Sequence, residues 1–320
     1  MAVARFGLNA SSKVVEIASN DGYLLQYVVA AGVPCLGVEP SANVAQAARS
    51  KGVPTEIAFF GLDTARRLAD AGHAADLLVS KNVLAHVPDI NDFVAGVGAI
   101  LKPEGAYTVE FPHLLNLIQQ VQFDTIYHEH FTYLSVLAIE KVFAKHGLRI
   151  FDIDEVPTHG GSLRIFACRE GSIQPLSPNV AIVRNKEIAA GLDRPEGYAD
   201  FGRRVEKVRA DLLAFLGEAQ AGKMRVVGYG AAAKGNTLFN YCGITERQIG
   251  FVADRSPAKQ GKLLPGSHIP IRDPQAILDE KPDYVLIVPW NLRDEISRQL
   301  APVRAWGGRF VTAIPNIAVF

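Results

Sequence analysis

Lys13-Val-Val-Glu-Ile-Ala-Ser-Asn-Asp-Gly-Tyr-Leu-Leu-Gln26 joins a short apolar run, a cluster of small polar residues and a second apolar run. The first run, Lys13 to Ala18, predicts a strand. Ser19 to Tyr23 predicts a turn. Leu24 to Ala31 predicts an apolar helix that Gly32 ends, as a left-handed glycine commonly does. Strand, small-residue turn and helix in that order open a doubly wound sheet. A turn of this kind brings backbone N–H groups and a helix N-terminus close to a ligand.

The next strand, Cys35 to Val38, ends at Glu39-Pro40-Ser41, 23 positions after Glu16. A carboxylate there can accept both hydroxyls of a ribose. Either a dinucleotide or S-adenosylmethionine fits that combination. The dinucleotide fingerprint asks for three spaced glycines, and this turn has only Gly22. One glycine with an acidic residue inside the first strand favours the methyl donor. The cofactor contacts expected are Glu16, Ala18, Ser19, Asn20, Gly22, Glu39 and Pro40. A plain strand-to-helix turn is the structural alternative.

Further strands are predicted at Thr55 to Phe59, Ala75 to Ser80, Ala106 to Phe111 and Arg149 to Val156. Helices lie between them at Ile90 to Leu101 and Leu137 to His146. This alternation predicts a parallel sheet covered on both faces. The pattern weakens from Gly171 to Asp193. Glu196 to Ala221 then reads as one amphipathic helix carrying Phe201, Val205, Val208, Leu212, Phe215 and Leu216 on one side. A second alternation follows, with strands at Arg225 to Gly228, Ile249 to Ala253, Tyr284 to Pro289 and Arg309 to Ile314. The expected division is a cofactor domain at 1–168, a linker and bridging helix at 169–222, and a second Rossmann-like domain at 223–320.

Composition bounds the function. The chain has 320 residues, 48% of them apolar, with 33 basic against 33 acidic side chains. No bulk charge points to nucleic acid or to an anionic membrane. No apolar run approaches the roughly 20 residues of a membrane span, and no secretory signal opens the sequence. Cys35, Cys168 and Cys242 lack paired metal-ligand spacing and read as buried small hydrophobes. The expectation is a cytoplasmic enzyme with no metal, acting on a small molecule.

The densest chemistry lies at Phe123-Asp-Thr-Ile-Tyr-His-Glu-His-Phe-Thr-Tyr133, with two histidines, two acids and two tyrosines. Asn82 and His86 follow the fourth strand, at the sheet end where ligands bind in such folds. Four residues apart, they would share one face of a helical turn. His113 is a further candidate for the pocket wall. His159 precedes Gly160-Gly161, where backbone can approach a ligand closely. Ala231-Ala-Ala-Lys234-Gly-Asn236-Thr237 follows the first strand of the second alternation and suits a diphosphate. It lacks the full phosphate-loop signature, and a tight turn with a solvated lysine is its alternative. Trp290 ends another strand and can stack on a base or sugar.

Several of these segments together resemble the sugar C-methyltransferases. They are Val14 to Gln26, Gly37-Val-Glu-Pro-Ser41, Asn82-Val-Leu-Ala-His86-Val-Pro-Asp89 and Tyr127-His-Glu-His130-Phe. Thr158 to Arg164, Gly230 to Thr237 and Val288-Pro-Trp-Asn291 complete the set. The resemblance implies a class I methyltransferase domain of Rossmann-like α/β fold, followed by a second Rossmann-like α/β domain. It implies methyl transfer from S-adenosylmethionine, leaving S-adenosylhomocysteine, to carbon C3 of a 4-keto-deoxysugar on a nucleoside diphosphate, typically dTDP. It makes His130 the favoured base, with Tyr127, Glu129, His86 and Asn82 as the other matched site positions. His159, Gly160, Lys234, Asn236 and Trp290 are then expected around the nucleotide sugar, held between the two domains. Ala18 stands where the family usually has glycine. Family members also carry an N-terminal zinc-binding domain rich in paired cysteines; these 320 residues contain no such pairs, and residues 1 to 13 read as the end of a linker helix. An O- or N-methyltransferase and a nicotinamide-dependent oxidoreductase remain the alternatives at this point.

Overall fold

The computed structural model describes residues 2–320. The chain divides into two compact units, 1–115 with 129–195, and 116–128 with 196–320.

The first unit holds strands β1 (Val14–Ile17), β2 (Cys35–Val38), β3 (Thr55–Glu56), β4 (Ala75–Lys81), β5 (Leu101–Pro112), β6 (Leu148–Val156) and β7 (Ser162–Arg169). Its helices are α1 (Ala2–Arg5), α2 (Leu25–Ala30), α3 (Ala42–Ser50), α4 (Leu62–Leu68), α5 (Ile90–Ile100), α7 (Val136–Lys145) and α8 (Pro178–Ala189), and α6 (Leu114–Gln119) carries the chain into the second unit. The strand order is β3-β2-β1-β4-β5-β7-β6. β1 to β5 run parallel, while β7 is antiparallel to both β5 and β6.

All four residues of β1 are buried, because helices cover both faces of the sheet. Alternate side chains therefore enter different cores. Val15 and Ile17 pack with Phe93, Val94 and Val97 of α5. Val14 points the other way, to Leu25, Val33 and Val53. The order with one reversed strand is the Rossmann-like arrangement of class I methyltransferases.

Four expectations change here. The sheet is mixed rather than wholly parallel. β7 was hidden inside the glycine-containing motif that precedes it. The region from Gly171 to Asp193 contains α8, whose start is marked by Ser177 capping the Asn179 amide and by Pro178 in the first turn. That serine–proline pair is an ordinary helix-start signal. β3 is also shorter than predicted, at two residues.

The second unit contains α9 (Phe201–Ala221), β8 (Val226–Tyr229), α10 (Ala233–Cys242), β9 (Val252–Ala253), β10 (Ile271–Arg272), α11 (Gln275–Glu280), β11 (Tyr284–Ile287), α12 (Arg293–Gln299), β12 (Arg309–Thr312) and β13 (Ala318–Val319). Its sheet runs β10-β9-β8-β11-β12-β13, parallel except for β13. α9 is not a free bridge. Its Val205, Val208, Leu212 and Leu216 pack in one cluster with Val226, Leu238, Phe239 and Leu286. Residues 169–195 likewise pack with the first unit, so no separate linker of 169–222 exists. The apolar stripe on α9 must be buried somewhere, and the sheet of the second unit buries it.

Candidate functional site

At the carboxyl end of β1 the chain turns through left-handed backbone at Ala18 (φ 53°), Asn20 (φ 52°) and Gly22 (φ 77°). Ala18 is strained there, which is a physical reason for glycine at that position. Ser19 tucks beneath the turn against β2. A Cβ on Gly37 would stand 2.3 Å from the Ser19 hydroxyl oxygen, so β2 needs its glycine. Glu39, buried at the end of β2, accepts from the Asn20 amide at 3.1 Å and the Ser41 amide at 2.9 Å. Each oxygen keeps acceptor capacity for a hydroxyl. Half-buried Pro40 lies between these two contacts.

Glu16 is almost fully buried, and its Oε2 receives no hydrogen bond. Burial pushes its pKa up to about 8, with Lys81 opposing the shift. The Ser19 hydroxyl is buried and unpartnered as well. Two open polar groups beneath a turn of positive-φ residues, with Glu39 alongside, fit a ligand that has a cationic end and a ribose.

The histidine positions meet at the end of β4. Asn82 adopts φ 54° and donates its own amide to the Glu110 carbonyl. Its side-chain N–H group meets His159 Nε2 at 2.9 Å, and its Oδ1 is buried without a partner. The expected helical turn covers only Leu84–His86, so Asn82 and His86 do not share a helix face. His86 instead meets His130, ring centre to ring centre at 4.7 Å, and Tyr133 lies 5.9 Å beyond His130. The Phe131 amide, donating to the Ala85 carbonyl at 2.8 Å, holds the two segments together.

Glu129 is exposed in the first unit, whereas half-buried Tyr127 and exposed His128 belong to the second. His159 sits in left-handed backbone before Gly160. Its neighbour Thr158 donates to Glu110 Oε1 at 2.9 Å, and Arg164 donates to Glu110 Oε2 at 3.0 Å. Glu110 was not singled out from sequence, although an acid at the end of an apolar strand is a usable signal.

His113 pairs with an acid of α8. It is buried, with Nε2 2.7 Å from Glu187 Oε1. Glu187 also accepts the Val136 and Leu137 amides at 2.7 and 2.9 Å, capping α7 just after the His130 segment.

In the second unit Gly230 takes φ 96°, and a Cβ there would stand 2.5 Å from Pro289. Asp254, just after β9, accepts from the Ala231 amide at 2.8 Å and from Lys259 at 3.4 Å. Asp124, part of the dense stretch from Phe123 to Tyr133, joins Lys234 and Trp290. The Trp290 indole donates to Asp124 Oδ2 at 2.8 Å. Lys234 Nζ donates to Asn291 Oδ1 at 2.9 Å and lies 4.4 Å from the centre of the Trp290 ring system. Burial raises the Asp124 pKa to about 6, opposed by Lys234, while burial lowers that of Lys234. Among the described residues no three His, Cys, Asp or Glu side chains gather as metal ligands, and no helix is long and apolar enough to cross a membrane.

Two family models match this chain. A methyltransferase domain covers residues 2–153, and a C-methyltransferase C-terminal domain covers residues 157–315. The C-methyltransferase NovU of Streptomyces niveus is 38% identical over 316 residues, 99% of this chain and 75% of that protein. A ubiquinone biosynthesis O-methyltransferase of Bartonella bacilliformis is 26% identical over 97 residues, 30% of this chain and 39% of its own length. Magnesium protoporphyrin IX methyltransferase from Synechocystis PCC 6803, solved with S-adenosylhomocysteine, is similar with 15% identity and a TM-score of 0.42, over 52% of this chain and 78% of its own. The C-methyltransferase matches along the whole chain favour transfer to carbon over the O- and N-methyltransferase and oxidoreductase alternatives. Matched along both halves, and by one relative over nearly its whole length, the chain belongs to the S-adenosylmethionine-dependent C-methyltransferase family.

Proposed function

We propose that this C-methyltransferase acts on a dTDP-linked 4-keto-deoxysugar and places the methyl group on C3, with His130 as the base. The observation that carries the reading is the His86–His130 ring pair, 4.7 Å apart, beside the Asn82–His159 pair at the end of β4. Carbon must become a nucleophile before it can be methylated. Next to a ketone it can, because the carbonyl oxygen takes up the charge when the α-proton leaves. Neutral imidazole suits that proton transfer near neutral pH. S-adenosylmethionine, when bound, supplies the methyl group.

His130 removes the C3 proton, and His86 donates toward the oxygen on which charge develops. Asn82, with its open side-chain oxygen, and His159 and Gly160 orient the sugar. Tyr127 and Glu129 complete the sugar contacts. Glu16, Ala18, Ser19, Asn20, Gly22, Glu39 and Pro40 hold the methyl donor. Lys234, Asn236 and Trp290 of the second unit serve the nucleotide.

The test is solvent exchange. In deuterium oxide the wild-type chain should introduce deuterium at C3 of the keto sugar. His130→Asn should lose exchange and methyl transfer together, while still binding S-adenosylhomocysteine. Unchanged turnover in that variant, or no exchange at C3 when S-adenosylhomocysteine occupies the donor site and methyl transfer is blocked, refutes the assignment.

A further inference from the structure

The Asn82–His159 pair joins two backbone segments that would not hold their shape alone. Both residues take left-handed backbone, at φ 54° and 55°, and neither is glycine. Such conformations persist only where the surroundings hold them, and they gather at functional sites. Asn82 follows β4 and His159 precedes β7. β5 lies between those two strands and pairs with both.

One residue of β5 grips each segment. The Glu110 carbonyl accepts the Asn82 amide at 2.8 Å. Glu110 Oε1 accepts the hydroxyl of Thr158, beside His159, at 2.9 Å. The contact between Asn82 and His159, 2.9 Å long, closes the circuit. Glu110 is buried, so its charge has to be balanced. Lys81 and Arg164 stand directly opposite it on β4 and β7, hence on the same face of the sheet. Their nitrogens lie 4.0 and 3.0 Å from the carboxylate. These two cations balance the carboxylate without Thr158. The hydroxyl bond adds direction, because it ties the His159 turn to the strand that also holds Asn82. When the Asn82 side-chain N–H donates, His159 Nε2 accepts, and the neutral ring carries its proton on Nδ1.

Resting on the reading of Asn82 and His159 as groups that orient the sugar, we propose that Glu110 is a positioning residue for methyl transfer. Its carbonyl places Asn82, its carboxylate places the His159 turn, and together they set the aim and tautomer of the pair. Glu110 acts through the pair and not on the reacting atoms.

Nitrogen-15 NMR of the full chain, labelled at histidine, reads the His159 tautomer with no substrate present. The signal lost in His159→Gln assigns it. Wild type should carry the proton on Nδ1. Glu110→Gln and Thr158→Val should each move it toward Nε2. Both should also slow C3 exchange of the keto sugar under S-adenosylhomocysteine by about tenfold or more, the scale of a misplaced contact. Thr158→Val leaves all three charges in place, so it should keep the wild-type affinity for S-adenosylhomocysteine. Thr158→Ser restores the hydroxyl and with it the Nδ1 signal. The proposal is refuted if wild type carries the proton on Nε2, or if neither variant moves it. It is equally refuted if the tautomer moves while exchange does not, or if Thr158→Val loses cofactor affinity in step with exchange. Full exchange in His130→Asn sinks the base assignment alone and leaves the tautomer result standing.

Discussion

Glu16 should couple the binding of S-adenosylmethionine to the release of a proton. Its carboxyl is buried with one oxygen unpartnered, and its pKa is raised to about 8 from an ordinary 4.5. At about pH 6.5 the free protein therefore carries it protonated. The methyl donor brings an ammonium and a sulfonium, and an opposite charge nearby favours the ionised carboxylate. Binding at about pH 6.5 should then release close to one proton, and at about pH 9 almost none. Between these limits affinity should rise by up to about tenfold per pH unit. Calorimetry in buffers of different ionisation enthalpy counts the proton directly.

Folding gives an independent reading of the same group. The unfolded chain loses the Glu16 proton near the ordinary value, and the folded chain keeps it until about pH 8. The folded state thus binds more protons across that window. Its stability must fall as pH rises, by up to about 1.4 kcal/mol per pH unit from this group. Below the window no such loss exists, and above it the loss is complete. Glu16→Gln should flatten the slope, raise the thermal midpoint near pH 8 and abolish the proton release. Binding without proton release at pH 6.5, or a Gln variant with the wild-type slope, refutes the reasoning.

Two further outcomes follow from local geometry. Ala18→Gly should relieve left-handed backbone at φ 53°, raising unfolding free energy by about 0.5 kcal/mol once the greater freedom of the unfolded glycine is subtracted; urea denaturation measures it. Glu187→Ala strips His113 and the Val136 and Leu137 amides of their shared acceptor. It should cost about 3 kcal/mol or more and should lower turnover more than cofactor affinity, because the segment it anchors follows His130.

Much of the alternating pattern was legible because it is local. Apolar runs of strand length, small-residue turns and helix-ending glycines identify β1, β2, β4, α2, α5 and the first cofactor turn from adjacent residues. The failures came where the signal was tertiary or weak. β7 and α8 lie in stretches that glycine and proline made irregular. α9 looked like a bridge because an apolar stripe does not name what covers it. Ala18 stood out only as a departure from a family pattern, until its φ gave the departure a physical meaning.

By itself the sequence determined most of the element types, the two α/β halves, the small-residue turn after β1 and the dense segment around His130. Each is a property of neighbouring residues, carried by periodicity, turn chemistry and composition. Only the tertiary structure decided who meets whom. Asn82 finds His159 across 77 positions, His113 finds Glu187 across 74, and Trp290 finds Asp124 across 166. No local pattern encodes such distances, because partners so far apart are brought together by burying the sheets and helices between them. That closure gave His113 its contact with Glu187 and His86 its contact with His130, and it joined Asp124 to Trp290.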